Sequence, residues 1–335
     1  MRGLEDRSRT PRSCPHRTAD RLVEQLIAAR RRHPHWGSRK LLTLLEEQRP
    51  DGLWPAASTA GDILRRHGLV RPRRRRRPID HPGKPTTSAQ ASNELWTADF
   101  KGEFRVGDGT YCYPLTVADS WSRYLLGCRA LPSTAHDGVQ PVFERLFRDF
   151  GLPAAIRTDN GSPFASTALG RLSRLSVWWL KLGIRPELIE PASPQQNGSH
   201  ERMHKTLKDE TTRPPERTLR VQQRRFEFFR WEYNEQRPHE ALGMIPPSRL
   251  YEPSPRSYPR RLAPIEYPAH YEVRRVARNG GVRWKTRWLN VSSVLVEEHV
   301  GFEEIADGIW SLYFGPLLLG RFDERELKLY GPRCP

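Results

Sequence analysis

Apolar residues recur at helical spacing from Thr18 onward. Leu22, Leu26 and Ile27 in TADRLVEQLIAARRRH predict a first helix, with Thr18 or Asp20 as candidate caps. GSRKLLTLLEEQ predicts a second, opening at Ser38 as candidate N-cap, and STAGDILRRHGLV a third that stops at Gly68. After Glu94 the pattern turns β-prone. LWTADFKGEFRV breaks at a Gly107-Asp108-Gly109 turn, and TYCYPLTVADSWSRYLLGCRAL gives two more strands around a Ser/Asp turn at 119–122. GVQPVFERLFRDFG predicts a helix closed by Gly151, AAIRTDNG a strand, STALGRLSRLSVWWLKLGI a helix stopped by Gly183, RPELIEP a strand. A helix then follows Gly198, and ERTLRVQQRRFEFFRW predicts another. Strands interleaved with helices in this order predict an α/β mixed-sheet core over residues 94–232. Residues 233–267 read as a Pro-rich connector. Residues 268–335 alternate β-prone runs with Gly turns at Asn279-Gly280-Gly281 and Asp307-Gly308, which predicts five short strands in a small β-barrel.

Charge adds a partner to this outline. The 335 residues carry 56 Lys and Arg against 39 Asp and Glu, a net of +17. Residues 1–90 hold 21 basic and 9 acidic residues, so +12 of the surplus lies in the first quarter. Such a surplus points to a polyanion, most simply nucleic acid. The three predicted helices, residues 18–70, fit a helix-turn-helix module with Arg65 and Arg66 on its last helix; a plain helical bundle is the alternative. Residues 1–17 are a polar lead-in. Residues 71–93 form a basic linker whose Arg73, Arg74, Arg75, Arg76 and Arg77 are too charged to fold and suited to tracking phosphates.

Other classes recede. Cys14, Cys112, Cys128 and Cys334 form no C-x-x-C pair, so neither a zinc ribbon nor a disulfide scaffold is suggested, and a reducing, intracellular setting is the simple reading; with a nucleic-acid partner, a cytoplasmic, nucleoid-associated location is expected. His33, His35 and Cys14 do not make a paired zinc module. The first 30 residues lack the apolar core of a signal peptide, and no run approaches the roughly 18–20 apolar residues that span a bilayer. Trp178 and Trp179 read as core rather than base-stacking residues. Trp284, Lys285, Arg287 and Trp288 interleave aromatic and basic side chains, which suits DNA contact or half-buried packing equally.

Three acids stand at element ends. Asp99 lies in WTADF among apolar strand residues, where a carboxylate is costly to bury unneutralised. Asp159 in IRTDNG ends a strand just before a turn. Glu201 opens a helix in PASPQQNGSHERMHKTLKDE, with His204, Lys205 and Lys208 at offsets of three, four and seven on one face. Each alone has a plain explanation: a strand acid, a turn signal, an i,i+4 partner for Lys205 worth about 0.3–0.5 kcal/mol. Together, clustered carboxylates would repel unless a divalent cation neutralised them. Two such ions suit phosphodiester chemistry.

WTADF, IRTDNGSPF and PASPQQNGSHERMHKTLK, in that order, resemble the catalytic core of DDE transposases and retroviral-type integrases, most of all that of bacterial insertion-sequence transposases. YNEQRPHEALGMIPPSRLY (233–251) resembles the segment that follows this core. The resemblance covers roughly 95–250 and extends more weakly to the helices before and the strands after. It implies a ribonuclease H-like fold and DNA cleavage and joining with Mg²⁺ or Mn²⁺, two ions being expected. By position it makes Asp99, Asp159 and Glu201 the metal-binding catalytic acids, with Gln195, Asn197 and Gly198 as the approach to the third. Water would attack a phosphodiester at the element's end, and the freed 3′-hydroxyl would then attack target DNA. Lys205, Lys208, His204 and Asn197 would contact DNA, and the chain would assemble as a homo-oligomer on DNA ends and target, with no membrane and no small-molecule substrate.

Two departures accompany the resemblance. Residues 160–200 put 41 positions between Asp159 and Glu201, a few more than many members have. The surplus is expected in RLSRLSVWWLKL. Glu190 and Asp119 are the rival acids; Asp119 in TVADSW is expected at a turn or behind the site. MRGLEDRSRTP resembles the seam after a further upstream helix-turn-helix, which would make the chain a truncated form. A decayed transposase that only binds DNA is the alternative function; a nuclease on RNA–DNA hybrids fits less well, because such enzymes lack the Pro-Gln-x-Asn-Gly segment.

Overall fold

Strand β1 (Leu95–Phe100) lies in the middle of a mixed six-stranded sheet in the computed structural model, which describes residues 17–70, 89–189 and 198–331. Strand β3 (Tyr111–Asp119) pairs with β1 antiparallel and sets Thr116 opposite Asp99. Strand β5 (Ala155–Thr158) pairs with β1 parallel and sets Thr158 beside Ala98. Strands β2 (Phe104–Arg105) and β4 (Leu125–Leu131) extend the β3 side, and β6 (Arg185–Leu188) the β5 side.

Side chains of β1 alternate between the two faces, and that alternation sorts the layers. Trp96 and Ala98 join Phe143 and Phe147 of α4 (His136–Phe150) and Trp179 of α5 (Arg174–Lys181) in one apolar core. On the opposite face Ala118, Leu125 and Cys128 meet Met203 and Leu207 of α6 (Gly198–Thr211) and Phe226 and Phe229 of α7 (Leu219–Trp231). The mixed α/β core has the element order that the apolar pattern predicts.

The predicted helix over 166–184 is corrected to its second half. Gly170 stands at φ +64° and interrupts the run, and α5 begins only after Ser173, whose side chain caps it reciprocally with Ser176. Trp178 and Trp179 are buried core residues, as expected.

Side-chain amides blunt the free edge of β4. Asn234 accepts from the Leu125 N–H at 2.8 Å and donates to the Leu125 carbonyl at 3.0 Å. Gln223 accepts from the Ala130 N–H at 2.7 Å and donates to the Cys128 carbonyl at 3.0 Å. These amides stand in for a neighbouring strand. Asn234→Ala strands both Leu125 groups in a buried position and is expected to cost about 1–3 kcal/mol, read from urea melts.

The described residues of Met1–Ile79 and Gln236–Ile245 form one compact unit. It contains α1 (Asp20–Arg32), α2 (Ser38–Gln48) and α3 (Ala57–Arg66), packed around Leu26, Trp36, Leu41, Leu45, Ile63 and Leu64. Expected caps shift by a residue: Ala19 and Gly37 precede α1 and α2, and neither Thr18 nor Ser38 serves as the N-cap. The Arg30 guanidinium donates to the carbonyls of Trp36 and Leu69, closing the helices on each other. Arg237 lies over the Trp36 ring at 5.7 Å.

The described residues of Asp80–Glu235 and Pro246–Pro335 form the second unit. After the core it carries an antiparallel sheet in the order β13-β12-β11-β10-β7, and a hairpin of β8 and β9. The strands are β7 (Glu272–Arg275), β8 (Gly281–Trp284), β9 (Arg287–Asn290), β10 (His299–Ala306), β11 (Ile309–Phe314), β12 (Leu317–Asp323) and β13 (Lys328–Tyr330), seven rather than the expected five. The turn at Asp307-Gly308 joins β10 to β11 as expected. That at Asn279-Gly280-Gly281 does not make a hairpin: β7 pairs with β10, and β8 pairs with β9 across Lys285 and Thr286. Val177 and Leu180 of α5 enter the core of this sheet beside Trp284, Phe302, Phe314 and Phe322. No helix among the described residues is long and apolar enough to cross a membrane.

Candidate functional site

Parallel pairing of β1 and β5 places two of the three acids. Ala98 lies beside Thr158, so the next residues, Asp99 and Asp159, leave adjacent strand ends on the same edge of the sheet. The turn after β5 is held locally: the Gly161 N–H donates to Asp159 Oδ1 at 3.2 Å, and Asn160 Nδ2 donates to the Ile189 carbonyl at 2.8 Å. Asp159 is exposed, while the Asp99 side chain is 19% exposed. Helix α6 crosses the face of β1 that carries Thr97 and Asp99, and it brings Glu201 close enough to act on Asp99.

The electrostatics of Asp99 report this convergence. Burial, then the charge of Asp159, and to a smaller extent that of Glu201, push its carboxyl up to about 7; Lys101 and the Phe100 N–H oppose them. Burial first, and the neighbouring negative charge second, disfavour its ionisation, and a bound divalent cation would favour it again. The donor set is carboxylate oxygen, the chemistry that Mg²⁺ and Mn²⁺ prefer.

Two histidines of α6, one turn apart, are buried against the sheet, while Glu201 is exposed. His200 Nδ1 is 2.9 Å from Thr97 Oγ1, and its Nε2 is 2.7 Å from Thr116 Oγ1. His204 Nε2 is 2.6 Å from the same Thr116 Oγ1, and its Nδ1 is 3.7 Å from Asp99 Oδ2. Thr116 also donates to the Asp99 carbonyl at 3.0 Å. A hydroxyl has one proton and two lone pairs. With its proton directed at the Asp99 backbone carbonyl, Thr116 accepts from both imidazoles; each histidine then carries its proton on Nε2, and Thr97, 3.3 Å from the Ala118 carbonyl, turns its own proton to His200 Nδ1 at 2.9 Å. Burial keeps both rings neutral, lowering His200 to about 3 and His204 to about 2.

These groups set opposing pH slopes. Unfolded histidines bind protons below about 6.5, whereas the folded His200 and His204 do not until about 3 and 2. Their contribution to stability is therefore lost as pH falls from about 6.5. Asp99 acts in the other sense, since folded it keeps its proton up to about 7. In chelator His200 and His204 together outweigh Asp99, so these three groups are expected to add stability as pH rises from about 4.5 to 6.5. Asp99→Asn removes the opposing proton, and denaturant melts at the two pH values should show a steeper rise.

The remaining expected residues are placed as follows. Lys205 and Lys208 are exposed on α6, as a phosphate contact requires. His204 is not on that exposed face: it is buried against Thr116 and Asp99. Arg65 and Arg66 are exposed at the end of α3, Arg65 paired with Asp62. Arg73, Arg74, Arg75, Arg76, Arg77, Glu190, Gln195 and Asn197 lie outside the described residues. Asp119 sits opposite Trp96, three residues along β3 from Thr116. It accepts from the Asn93 N–H at 2.8 Å and from the Ser122 N–H and hydroxyl at 2.8 and 2.6 Å, a turn residue rather than a member of the cluster. Trp284 is buried, whereas Trp288, its neighbour in the hairpin, is 56% exposed. Thr97, Thr116 and His200 were not anticipated. The i,i+4 spacing of His200 and His204 was the available signal, since it puts both on one helix face.

Comparison with known proteins adds the following. Residues 89–194 and 182–247 match two models, each described as integrase core domain. An uncharacterized 31.7 kDa protein of insertion element IS407 from Burkholderia multivorans is 31% identical over 239 residues, 69% of this chain and 79% of that protein. The Gag-Pol polyprotein of baboon endogenous virus is 30% identical over 199 residues, 59% of this chain but 11% of the polyprotein. The HTLV-2 integrase catalytic core domain, solved in complex with magnesium, aligns with 49% of this chain and 99% of that domain at 15% identity and a TM-score of 0.39.

Proposed function

The chain belongs to the DDE transposase/integrase family, as a polynucleotidyl transferase acting in DNA integration, and from that premise we propose that Asp99, Asp159 and Glu201 hold its divalent cations, two Mg²⁺ or Mn²⁺. The observation that carries this reading is the convergence on Asp99: the charges of Asp159 and Glu201, 60 and 102 residues further along the chain, both act on its carboxyl.

When bound, such cations activate the attacking oxygen and stabilise the leaving one in an in-line displacement at phosphorus. The chain's own part is placement. β1 and β5 hold Asp99 and Asp159 at the spacing of hydrogen-bonded strands, and α6 adds Glu201 from the third side. Lys205 and Lys208, one and two turns further along α6, reach the flanking phosphates. Water first attacks the phosphodiester at the element's end and displaces its 3′-oxygen, which leaves as a free 3′-hydroxyl; that hydroxyl then attacks a target phosphodiester, forming a new P–O bond and releasing the target's own 3′-oxygen, with no covalent bond to the protein.

The flanking parts serve DNA binding in this reading. Residues 18–70 act as a helix-turn-helix module, with Arg65 and Arg66 against phosphates, and Arg73–Arg77 in the basic linker 71–93 continue that track. The core spans 94–232, followed by the connector 233–267. β8 and β9 lie close to β7 and β13, which supports a small barrel in 268–335. Its Lys285, Arg287 and exposed Trp288 face DNA. Two DNA ends are joined by a homo-oligomer working at the nucleoid in the cytoplasm.

The test is a cleavage and strand-transfer assay on the DNA that flanks the chain's own gene, with Mg²⁺, Mn²⁺ or chelator. Joined products that need the metal and vanish in Glu201→Gln are expected. Tight binding of that DNA without metal-dependent cleavage would make the chain a DNA-binding protein only.

A further inference from the structure

We propose that His204 is itself a ligand of the cation at Asp99, through Nδ1, so that the centre combines three carboxylates with one imidazole. This rests on the reading that the acids bind a cation.

Three observations lead here. His204 Nε2 is committed as a donor to Thr116 at 2.6 Å, so the Nδ1 lone pair is the one turned toward Asp99. It faces Asp99 Oδ2 at 3.7 Å, too far for a hydrogen bond. Once Asp99 is ionised, two electron-rich atoms held this close are best satisfied by a cation between them, and two ligands at about 2.1 Å from one ion lie roughly 3–3.7 Å apart. Glu201 and His204 are at i and i+3 on α6, the spacing by which one helix offers a carboxylate and an imidazole to the same metal in carboxylate-bridged bundle sites.

His200 is excluded from this role although one of its ring nitrogens, an Asp99 oxygen and a His204 nitrogen all lie within 4.8 Å of one another. Its two nitrogens face Thr97 and Thr116 at 2.9 and 2.7 Å, which leaves no lone pair for a metal. It positions Thr116 instead. Thr116 then has the part that an outer partner has at a metal-bound histidine: it takes the second ring N–H, fixing tautomer and plane. The same hydroxyl donates to the Asp99 carbonyl, so one side chain orients both ligands.

An imidazole nitrogen moves the preference of an oxygen site away from Mg²⁺ toward transition ions such as Mn²⁺. The decisive measurement is pulsed electron paramagnetic resonance of Mn²⁺ on the full chain, natural and with ¹⁵N-histidine. A nitrogen coupling that changes with the label is expected, lost in His204→Gln while Mn²⁺ still binds. Mn²⁺ affinity should fall about 10–100-fold in that variant, and Mg²⁺ affinity far less. Mn²⁺ binding that depends on Asp159 but shows no nitrogen coupling overturns the His204 assignment and leaves the acid centre standing. A coupling that persists in His204→Gln also overturns it. Mn²⁺ binding indifferent to Asp159→Asn overturns the acid centre and this proposal with it. If His204→Gln does not fold, His204→Asn is the second variant, and a labelled wild-type spectrum without coupling is by itself enough to overturn the assignment.

Discussion

Replacing Asp159 with asparagine is expected to lower metal-dependent strand transfer about a thousandfold or more without unfolding the chain. Asp159 is exposed and comes just after β5, and the contact it makes, from the Gly161 N–H to Oδ1 at 3.2 Å, is one an amide oxygen can keep. Surface changes of this kind usually stay within about 0.5 kcal/mol of wild type. The catalytic loss is of another size. A carboxylate that helps hold a Lewis-acidic cation supports several kcal/mol of transition-state stabilisation, and about 4 kcal/mol is a thousandfold in rate. Single-turnover strand transfer, with circular dichroism as the folding control, separates the two effects. Activity within about tenfold of wild type would remove Asp159 from the centre, since tenfold is only ~1.4 kcal/mol.

Trp179→Ala is expected to act through stability alone and to be among the most damaging single changes. Trp179 is fully buried, 5.0 Å from the Phe143 ring and 6.5 Å from Phe164 by ring centroids. Deleting a buried Trp costs about 3–5 kcal/mol, a large share of the ~5–15 kcal/mol that holds a domain together. Trp178 and Trp179 pack with the catalytic sheet, while Val177 and Leu180 of the same short helix enter the C-terminal sheet's core. The Lys181–Glu298 pair at 2.6 Å adds to that contact. Urea unfolding followed by fluorescence should therefore show one transition at lower denaturant, not the loss of one sheet ahead of the other. Trp179→Phe should cost less, because the indole N–H it removes has no hydrogen-bond partner.

The core was legible because its strands and helices alternate in a pattern that period alone reveals. WTADF and IRTDNG carried their acids visibly at strand ends. Where the pattern misled, a specific local preference had won. Leu169 to Lys181 is apolar at helical spacing throughout, yet a left-handed Gly170 and the Ser173–Ser176 cap divide it. Asn279-Gly280-Gly281 has hairpin composition, but the chain pairs β7 with β10 instead, a long-range choice that no short window contains. His204 looked like a solvent-facing neighbour of Lys205 because a helical wheel shows which residues share a face, not what covers it. Thr97 and Thr116 could not be singled out at all, since their role depends on β1 and β3 pairing in one register.

Thr116 has a consequence for how the length of this protein can drift. The site of Glu201 is fixed by where α6 lands on the sheet, through His200 and His204 on Thr97 and Thr116, and not by the path of the chain between Asp159 and Gly198. Insertions and deletions in the loops of that path, outside α5 and β6, leave the third acid where it is, which accommodates the 41-residue interval. A single residue added within β1 or β5 has no such freedom, because a one-step slip turns every following side chain to the opposite face. The interval between the second and third acids is thus free to vary in length, and the landing surface is not.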